Sequence, residues 1–527
     1  MLVCNEQDTS LNVTWLEKEP TSTRSSWMRS FIEPFKKGKQ MITNKIVSAS
    51  FNEITSWGQI NWQQCAKNIR RLQTRIVQAT KSQRWNKVKS LQHILTRSFS
   101  GKALAVQRVT TNRGKCTAGV DGQLWQSLSS KSEAITELKH KGYKPKPLRR
   151  IYIPKSDGSS RPLGIPTMKD RAMQALHLMG LAPVAETTGD NHSYGFRIGR
   201  STADAMSQIF KTLAGKNRAE WILEVDVRKC FDEIDHDWLL NNIPMETRIL
   251  EKWLKSGYIE KQMFCSTKWG TPQGGIISPT LANMTLDGIE AIISNQFGKK
   301  GEKPRKKSGV YLIRYADDLV ITGKSKEILE LQVLPLLKEF LEIRGLSLSS
   351  KKTKITHVRS GFDFLSQNVR KYGSSIIIKP SKDGIKRMLD RVRQTIKKNQ
   401  AQTQGYLIDL LNPLIRGWAY YHHKVCARKV FEKVDHEIFK MLWRWSKRRH
   451  PNKGLYWIKE KYFKTKGTQS WCFLSKTIKE GKLVIKELFK ATSLPIRRQI
   501  KIRAAANPFC REWFSYFKER YPNLNSI

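Results

Sequence analysis

The chain has 527 residues, with 95 Lys and Arg against 45 Asp and Glu, a formal charge of +50. Hydrophobic residues make up 39%, including 16 Trp and 20 Phe among the aromatics and aliphatics, which excludes disorder as the main state and provides for several domains. So large a like charge is self-repelling unless a polyanion neutralises it, so nucleic acid is the expected partner. No uncharged apolar run approaches the ~18 residues of a spanning helix, and the first thirty residues lack a secretory pattern, so no membrane partner is expected. The last 148 residues hold 34 basic and 11 acidic side chains, about twice the density of net positive charge found in the rest. The eight Cys are scattered without C-x₂-C or C-x₄-C spacing, which argues against a zinc or redox module and fits a reducing, cytoplasmic setting. His422-His423 is not read as a metal pair, because adjacent residues diverge on a helix.

In chain order, residues 1–60 read as a poorly defined leader with Pro20, Pro34 and the run Lys36-Lys37-Gly38-Lys39. From Trp62 the pattern turns helical. Ile69, Leu72 and Ile76 share one face, then Trp85, Val88, Leu91 and Leu95 another, with Arg70, Arg71, Arg75 and several Lys between them. Two strands, Arg150–Ile153 and Arg161–Ile165, follow around an Asp-Gly turn flanked by Lys155 and Arg161. Two such cations could clamp a triphosphate. Asp170 to Leu181 reads as a buried helix, and Ser201 as the cap of a helix from Thr202 to about Leu213.

Trp221 to Val227 alternates like a strand that ends at Asp226. Asp232, Asp235 and Asp237, close behind it, read as capping or surface groups. Gly270-Thr-Pro-Gln273-Gly274-Gly275 is a loop whose glycines let backbone approach a ligand, with Gln273 free to bond it. Lys299 to Lys307 reads as a solvated loop. The stretch from Val310 to Ile321 has two short apolar runs around Asp317-Asp318, a hairpin with both carboxylates at its tip. Carboxylates suit Mg²⁺, and a pair of such ions about 4 Å apart can serve an in-line phosphoryl transfer.

The succession of these segments resembles the reverse transcriptases, specifically the multifunctional proteins encoded by group II introns. Leu348-Ser-Ser-Lys-Lys-Thr-Lys354 and Phe362-Asp-Phe-Leu-Ser366 add to the likeness, which covers about residues 60–470. It implies an α+β right-hand polymerase: fingers and palm with a ferredoxin-like antiparallel core, an all-α thumb/maturase bundle and a small basic C-terminal region. The implied domains are a helical RNA-binding extension at 61–145, fingers and palm at 146–375, a thumb/maturase domain at 376–470 and a DNA-binding region at 471–527, with no nuclease domain. Asp226, Asp317 and Asp318 match the catalytic triad for two Mg²⁺ ions, with Mn²⁺ a possible substitute. Lys155, Arg161 and Gln273 match nucleotide contacts, Phe231 an aromatic gate against a ribose 2′-OH, and Tyr315 the primer end.

Beyond the palm, Ile385, Met388, Leu389, Val392 and Ile396 share a helix face, and two further helices are expected before about residue 450. Arg391, Arg393, Lys397, Lys398, Arg444, Lys447 and Arg448 are candidate RNA contacts, with Trp443 and Trp445 suited to stacking on bases. The implied activity is RNA-directed DNA synthesis coupled to splicing of the parent intron. The partners are that intron RNA, target DNA, dNTPs and an RNA template with a DNA primer, in the cytoplasm, a nucleoid or an organelle matrix. A splicing-only maturase and another class of bacterial reverse transcriptase are the alternatives.

Overall fold

The computed structural model describes residues 56–154, 158, 160–479 and 482–521. Most of the expected leader and the candidate Lys155 lie outside the described residues.

Fourteen strands among the described residues form four sheets. The first sheet contains β1 (Leu148–Pro154), β2 (Ser160–Ile165), β4 (Tyr258–Glu260) and β5 (Met263–Cys265). The central sheet contains β3 (Trp221–Asp226), β6 (Tyr311–Tyr315), β7 (Asp318–Gly323) and β8 (Lys354–His357). A third sheet is built from β9 (Phe362–Phe364), β10 (Gln367–Tyr372) and β11 (Ser375–Pro380). The fourth contains β12 (Phe463–Lys466), β13 (Gln469–Lys479) and β14 (Lys482–Glu487).

The central sheet has the order β6-β7-β3-β8 and is antiparallel throughout. Its apolar runs are explained by burial on both faces. Leu223, Val225, Leu312, Leu319 and Ile321 enter one core, while Ile222, Ile313 and Val320 enter another. Successive side chains alternate sides of a strand, so each strand feeds both cores at once.

The first core is organised by the helix Met168–Thr188, which is buried almost all round. Around it pack the helices Trp62–Lys81, Trp85–Arg97 and Phe99–Thr111, whose Ile69, Ile76, Val88, Leu91 and Leu95 point inward. Trp85, expected on the buried face, is exposed at the first turn of its helix. The second core holds the helices Lys382–Lys398, Gln404–His422 and Arg428–Arg449, with Met388, Val392, Phe431, Val434, Ile438 and Leu442 buried.

Several expectations need correction. The C-terminal bundle is not all-α: the sheet β12-β13-β14 packs on the helix Gln404–His422, where Asn412 donates to the Glu487 carbonyl and accepts from the Phe489 N–H. The expected boundaries at 375/376 and 470/471 therefore fall inside β11 and β13. Lys299–Lys307 is not merely a loop. It carries the short helix Lys303–Ser308, whose Arg305 is buried and donates to the Gly298 carbonyl.

The segment 499–521 is a strap that returns to the start of the chain. Arg70 lies over the Phe514 ring at 3.9 Å, Thr74 donates to the Phe509 carbonyl and Lys81 pairs with Glu512. Its anchor is Asp204, which accepts from the Ile502 N–H at 2.9 Å, Gln499 at 3.1 Å and Arg520 at 2.7 Å. The strap's own Ile502, Phe509 and Phe517 are buried.

Removing one partner of a buried ion pair typically costs ~3–5 kcal/mol. Asp204→Ala is therefore expected to lower stability by roughly that amount, and to raise hydrogen exchange over 499–521 before the central sheet is affected. Exchange in the strap equal to that of the native protein would contradict the anchor.

Candidate active site

The β6–β7 connection is tight. Tyr315 pairs with Asp318, which leaves only Ala316 and Asp317 in the turn. Asp318 is thus the first residue of β7 rather than part of the tip. Ala316 has φ +56°, a left-handed conformation that costs a non-glycine residue ~1–2 kcal/mol.

The neighbouring chain holds this conformation. His192 to Tyr194 runs alongside β6: the Arg314 N–H donates to the His192 carbonyl and the Tyr194 N–H to the Arg314 carbonyl. Gly195 then presses on the turn, where a Cβ would lie 2.3 Å from the Ala316 nitrogen. Arg314 is 0% exposed. It is ion-paired with Asp287 and donates to the Asn283 side chain at 3.2 Å, while Asn283 donates to the Gly195 carbonyl at 2.8 Å. A buried guanidinium thus ties the turn to the helix Ser278–Leu286.

Asp226 ends β3 directly opposite Asp318 in the antiparallel register. Directly opposed residues have Cα atoms ~4.5–5.5 Å apart. The Asp226 carbonyl accepts from the Ser349 N–H at 2.9 Å, and its carboxylate from Lys352 at 3.2 Å, so the Leu348–Lys354 stretch closes over the strand end. The buried Cys230 thiol reports the same convergence. Its pKa is pushed up first by burial, then by the negative charges of Asp317, Asp232 and Asp226, against the opposing charge of Arg314. A protonated thiol leaves carboxylate oxygens as the donors, a hard set that fits Mg²⁺ or Mn²⁺.

Next to this cluster, Phe231 lies in the short helix Cys230–Glu233, its ring edge-on to Phe196 with centroids 6.3 Å apart. The Gly270–Gly275 loop docks on that helix, the Thr271 N–H donating to the Phe231 carbonyl at 2.6 Å. Gln273 is held by Asp232, its amide reaching both carboxylate oxygens at 3.1–3.2 Å. On its other side the Gly164 N–H of β2 donates to the Gln273 carbonyl at 2.7 Å. Gly274, at φ +114°, sits so close to the Gly164 carbonyl that no side chain fits. Asp232 is therefore not a surface or capping group. Burial raises its pKa, with Arg150, Gln273 and Lys229 opposing that rise. Asp235 does cap a helix, accepting from the Trp238 N–H.

Models of known families match three stretches. Residues 57–138 match the N-terminal domain of reverse transcriptase, 153–369 reverse transcriptase (RNA-dependent DNA polymerase), and 385–463 the group II intron maturase-specific domain. The chain is 31% identical over 344 residues to protein YkfC of Escherichia coli K12, covering 58% of this chain and 88% of that one. It is 29% identical over 341 residues to the group II intron-encoded protein LtrA of Lactococcus lactis subsp. cremoris, covering 53% of this chain and 56% of LtrA. The chain belongs to the group II intron-encoded reverse transcriptases/maturases. It spans just over half the length of LtrA.

Within this reverse transcriptase/maturase, the structure brings together Asp226, Asp317, Asp318, Phe231 and Gln273. Tyr315 is half-buried at the end of β6, and Arg161 is exposed on β2 opposite Ile153. Sequence reasoning missed Arg314, Gly195 and Asp232 as positioning groups. A lone charge within the apolar β6 run was the available signal for Arg314. It also missed Tyr421, which donates to the Leu365 carbonyl at 2.6 Å and whose pKa is raised first by burial and also by the nearby Asp318 carboxylate.

Of the expected base-stacking pair, Trp445 faces inward and Trp443 is half-buried. Trp445 is 5% exposed and donates to the Gln400 carbonyl, and Trp443 packs among Phe439, Phe463 and Trp471. The candidate RNA-contacting cations Arg391, Arg393, Lys397, Lys398, Arg444, Lys447 and Arg448 are all exposed. His422 is buried against Trp418 and Tyr421, and burial lowers its pKa to about 3, so it serves packing.

Gly195→Ala is expected to displace the carboxylate turn. Misplacement of a reacting group by ~1 Å can cost 10²-fold in rate. Single-nucleotide incorporation should fall by about that factor with the far-ultraviolet circular dichroism unchanged. Full activity in this variant would show that the turn does not need the wedge.

Proposed function

We propose that this reverse transcriptase/maturase adds nucleotides at the β6–β7 turn, with Asp226, Asp317 and Asp318 holding two Mg²⁺ ions, for which Mn²⁺ can substitute. The observation that carries this reading is the register pair of Asp226 and Asp318, which joins the end of β3 to the start of β7 some ninety residues later. When bound, such ions lower the pKa of a primer hydroxyl and neutralise charge on the departing pyrophosphate. The chain's own part is to hold the reactants. Arg161 and Lys155 would grip the triphosphate, and Gln273, whose amide is held by Asp232, would contact the incoming nucleotide. Phe231, backed by Phe196, presents a ring where a 2′-OH would stand, and Tyr315 supports the primer end. Positioning and electrostatics carry most of the catalysis in phosphoryl transfer.

In this reading the central sheet is a ferredoxin-like palm, supported by its strand order, in which the first strand in sequence sits between the third and fourth. The sheet β2-β1-β4-β5 belongs to the fingers, the bundle from Lys382 to about residue 470 is the thumb, and residues 471–527 are the DNA-binding region. The intron RNA lies along the exposed Arg391, Arg393, Lys397, Lys398, Arg444, Lys447 and Arg448. Template RNA with a DNA primer, dNTPs and target DNA are the remaining partners. Among the described residues no helix is long and apolar enough to cross a membrane.

The double substitution Asp317→Ala with Asp318→Ala separates polymerisation from splicing. Loss of metal stabilisation worth several kcal/mol should cut cDNA synthesis by roughly 10³-fold or more, while splicing of the parent intron persists. Splicing lost in step with synthesis, in a folded protein, would contradict the division of labour. Phe231→Ala should instead leave dNTP incorporation active and admit ribonucleotides, read as the ratio of kcat/KM for the two sugars. An unchanged ratio would remove Phe231 from the gate.

A further inference from the structure

Away from the carboxylate site, His140, His177 and Glu246 bring three metal-ligating side chains to one point. They come from separate parts of the fold. His140 follows the helix Leu128–Glu137, His177 lies within Met168–Thr188, and Glu246 precedes Thr247–Leu254 as its cap. Their ligand atoms all lie within 4.8 Å of one another, and the two Nε2 atoms are 3.1 Å apart. Two nitrogens bound at ~2.0–2.1 Å to one tetrahedral ion stand about 3.3 Å apart, so the rings are already near that geometry. As a bare pair they can share only one proton between two facing nitrogens. An ion would take both lone pairs.

His177 is 5% exposed and meets the Trp253 ring edge-on, so it cannot turn toward water. Burial keeps both rings in the neutral form that ligates. Glu246 has the Arg97 guanidinium 3.8 Å from one oxygen. Arg97 thus partly offsets the carboxylate's charge, and Lys102 lies nearby. A hard cation such as Mg²⁺, which relies on charge and oxygen donors, is poorly served here. A borderline ion that bonds well to imidazole is not.

We propose that His140, His177 and Glu246 bind one Zn²⁺-class ion as a structural staple. The ion would tie the N-terminal helical layer to the helix Thr247–Leu254, through the buried helix that both of them touch. His₂Glu is a zinc ligand set best known from catalytic sites, where water fills the fourth position, and a water would complete the tetrahedron here.

The test uses the full chain, stripped with EDTA and kept in excess Mg²⁺ so that the aspartate cluster is filled. Zn²⁺ is titrated against a chromophoric chelator, and Co²⁺ in a parallel sample. The expected result is one Zn²⁺ per chain, a higher thermal midpoint with zinc, and Co²⁺ visible bands without a thiolate charge-transfer band. E246Q and H140Q, at partly exposed positions, should each weaken zinc binding by at least about tenfold and abolish the rise in midpoint, with the metal-free midpoint close to that of the native protein. No uptake by the native chain overturns the proposal. Equal uptake by both variants also overturns it and assigns the zinc to thiols or to the aspartates.

Discussion

Asp226 and Asp318 face each other across one antiparallel pair, and Asp317 is the next residue in the turn. Two carboxylates ~5 Å apart repel by about 3 kcal/mol at an effective dielectric of 20. Nothing local favours such an arrangement, so it must be imposed from outside the turn. The central sheet imposes it because its strands are buried on both faces. A slip of one residue would send every apolar side chain to the wrong core. Register, and with it the meeting of the carboxylates, is therefore secured by the greasy parts of β3, β6 and β7 rather than by the acids.

The same logic reaches outward through polar contacts that are fully enclosed. Arg314 has no access to solvent, and its partners Asp287 and Asn283 link the turn to the helix Ser278–Leu286 and to Gly195. In the Gly270–Gly275 loop, Asp232 and Gly164 hold Gln273 from opposite directions. The turn and the loop are thus both oriented by residues outside them. Such preorganisation is what lowers the reorganisation cost at the reacting centre.

Much of this was legible in the chain itself. The strands around Asp226 and Asp317-Asp318 announced themselves by alternation and β-branched content, and the helix faces from Ile69 to Ile76 and from Met388 to Ile396 by period. Ser201 was readable as a cap because a hydroxyl before a helical run has one common use. What escaped was what depends on distant neighbours. Asp232 looked like any surface acid until Gln273 was placed against it. Trp445 looked like a stacking platform beside cations, but a helix carries both faces in one run of sequence, and only packing against Tyr462 and Phe473 shows which way it points.

The return of residues 499–521 to the helix Trp62–Lys81 also bears on how the protein is made. Thr74 and the Phe509 carbonyl, which bond in the finished fold, are separated by more than four hundred residues of translation. At ~5–20 residues per second the earlier partner waits roughly 20–90 s for the later one. During that interval the surface that Phe509, Phe514 and Phe517 will cover stays bare on the ribosome. Contacts so remote along the chain form slowly even after release, so early encounter with a chaperone, or with the RNA emerging from the same transcript, falls within the window in which this face is open.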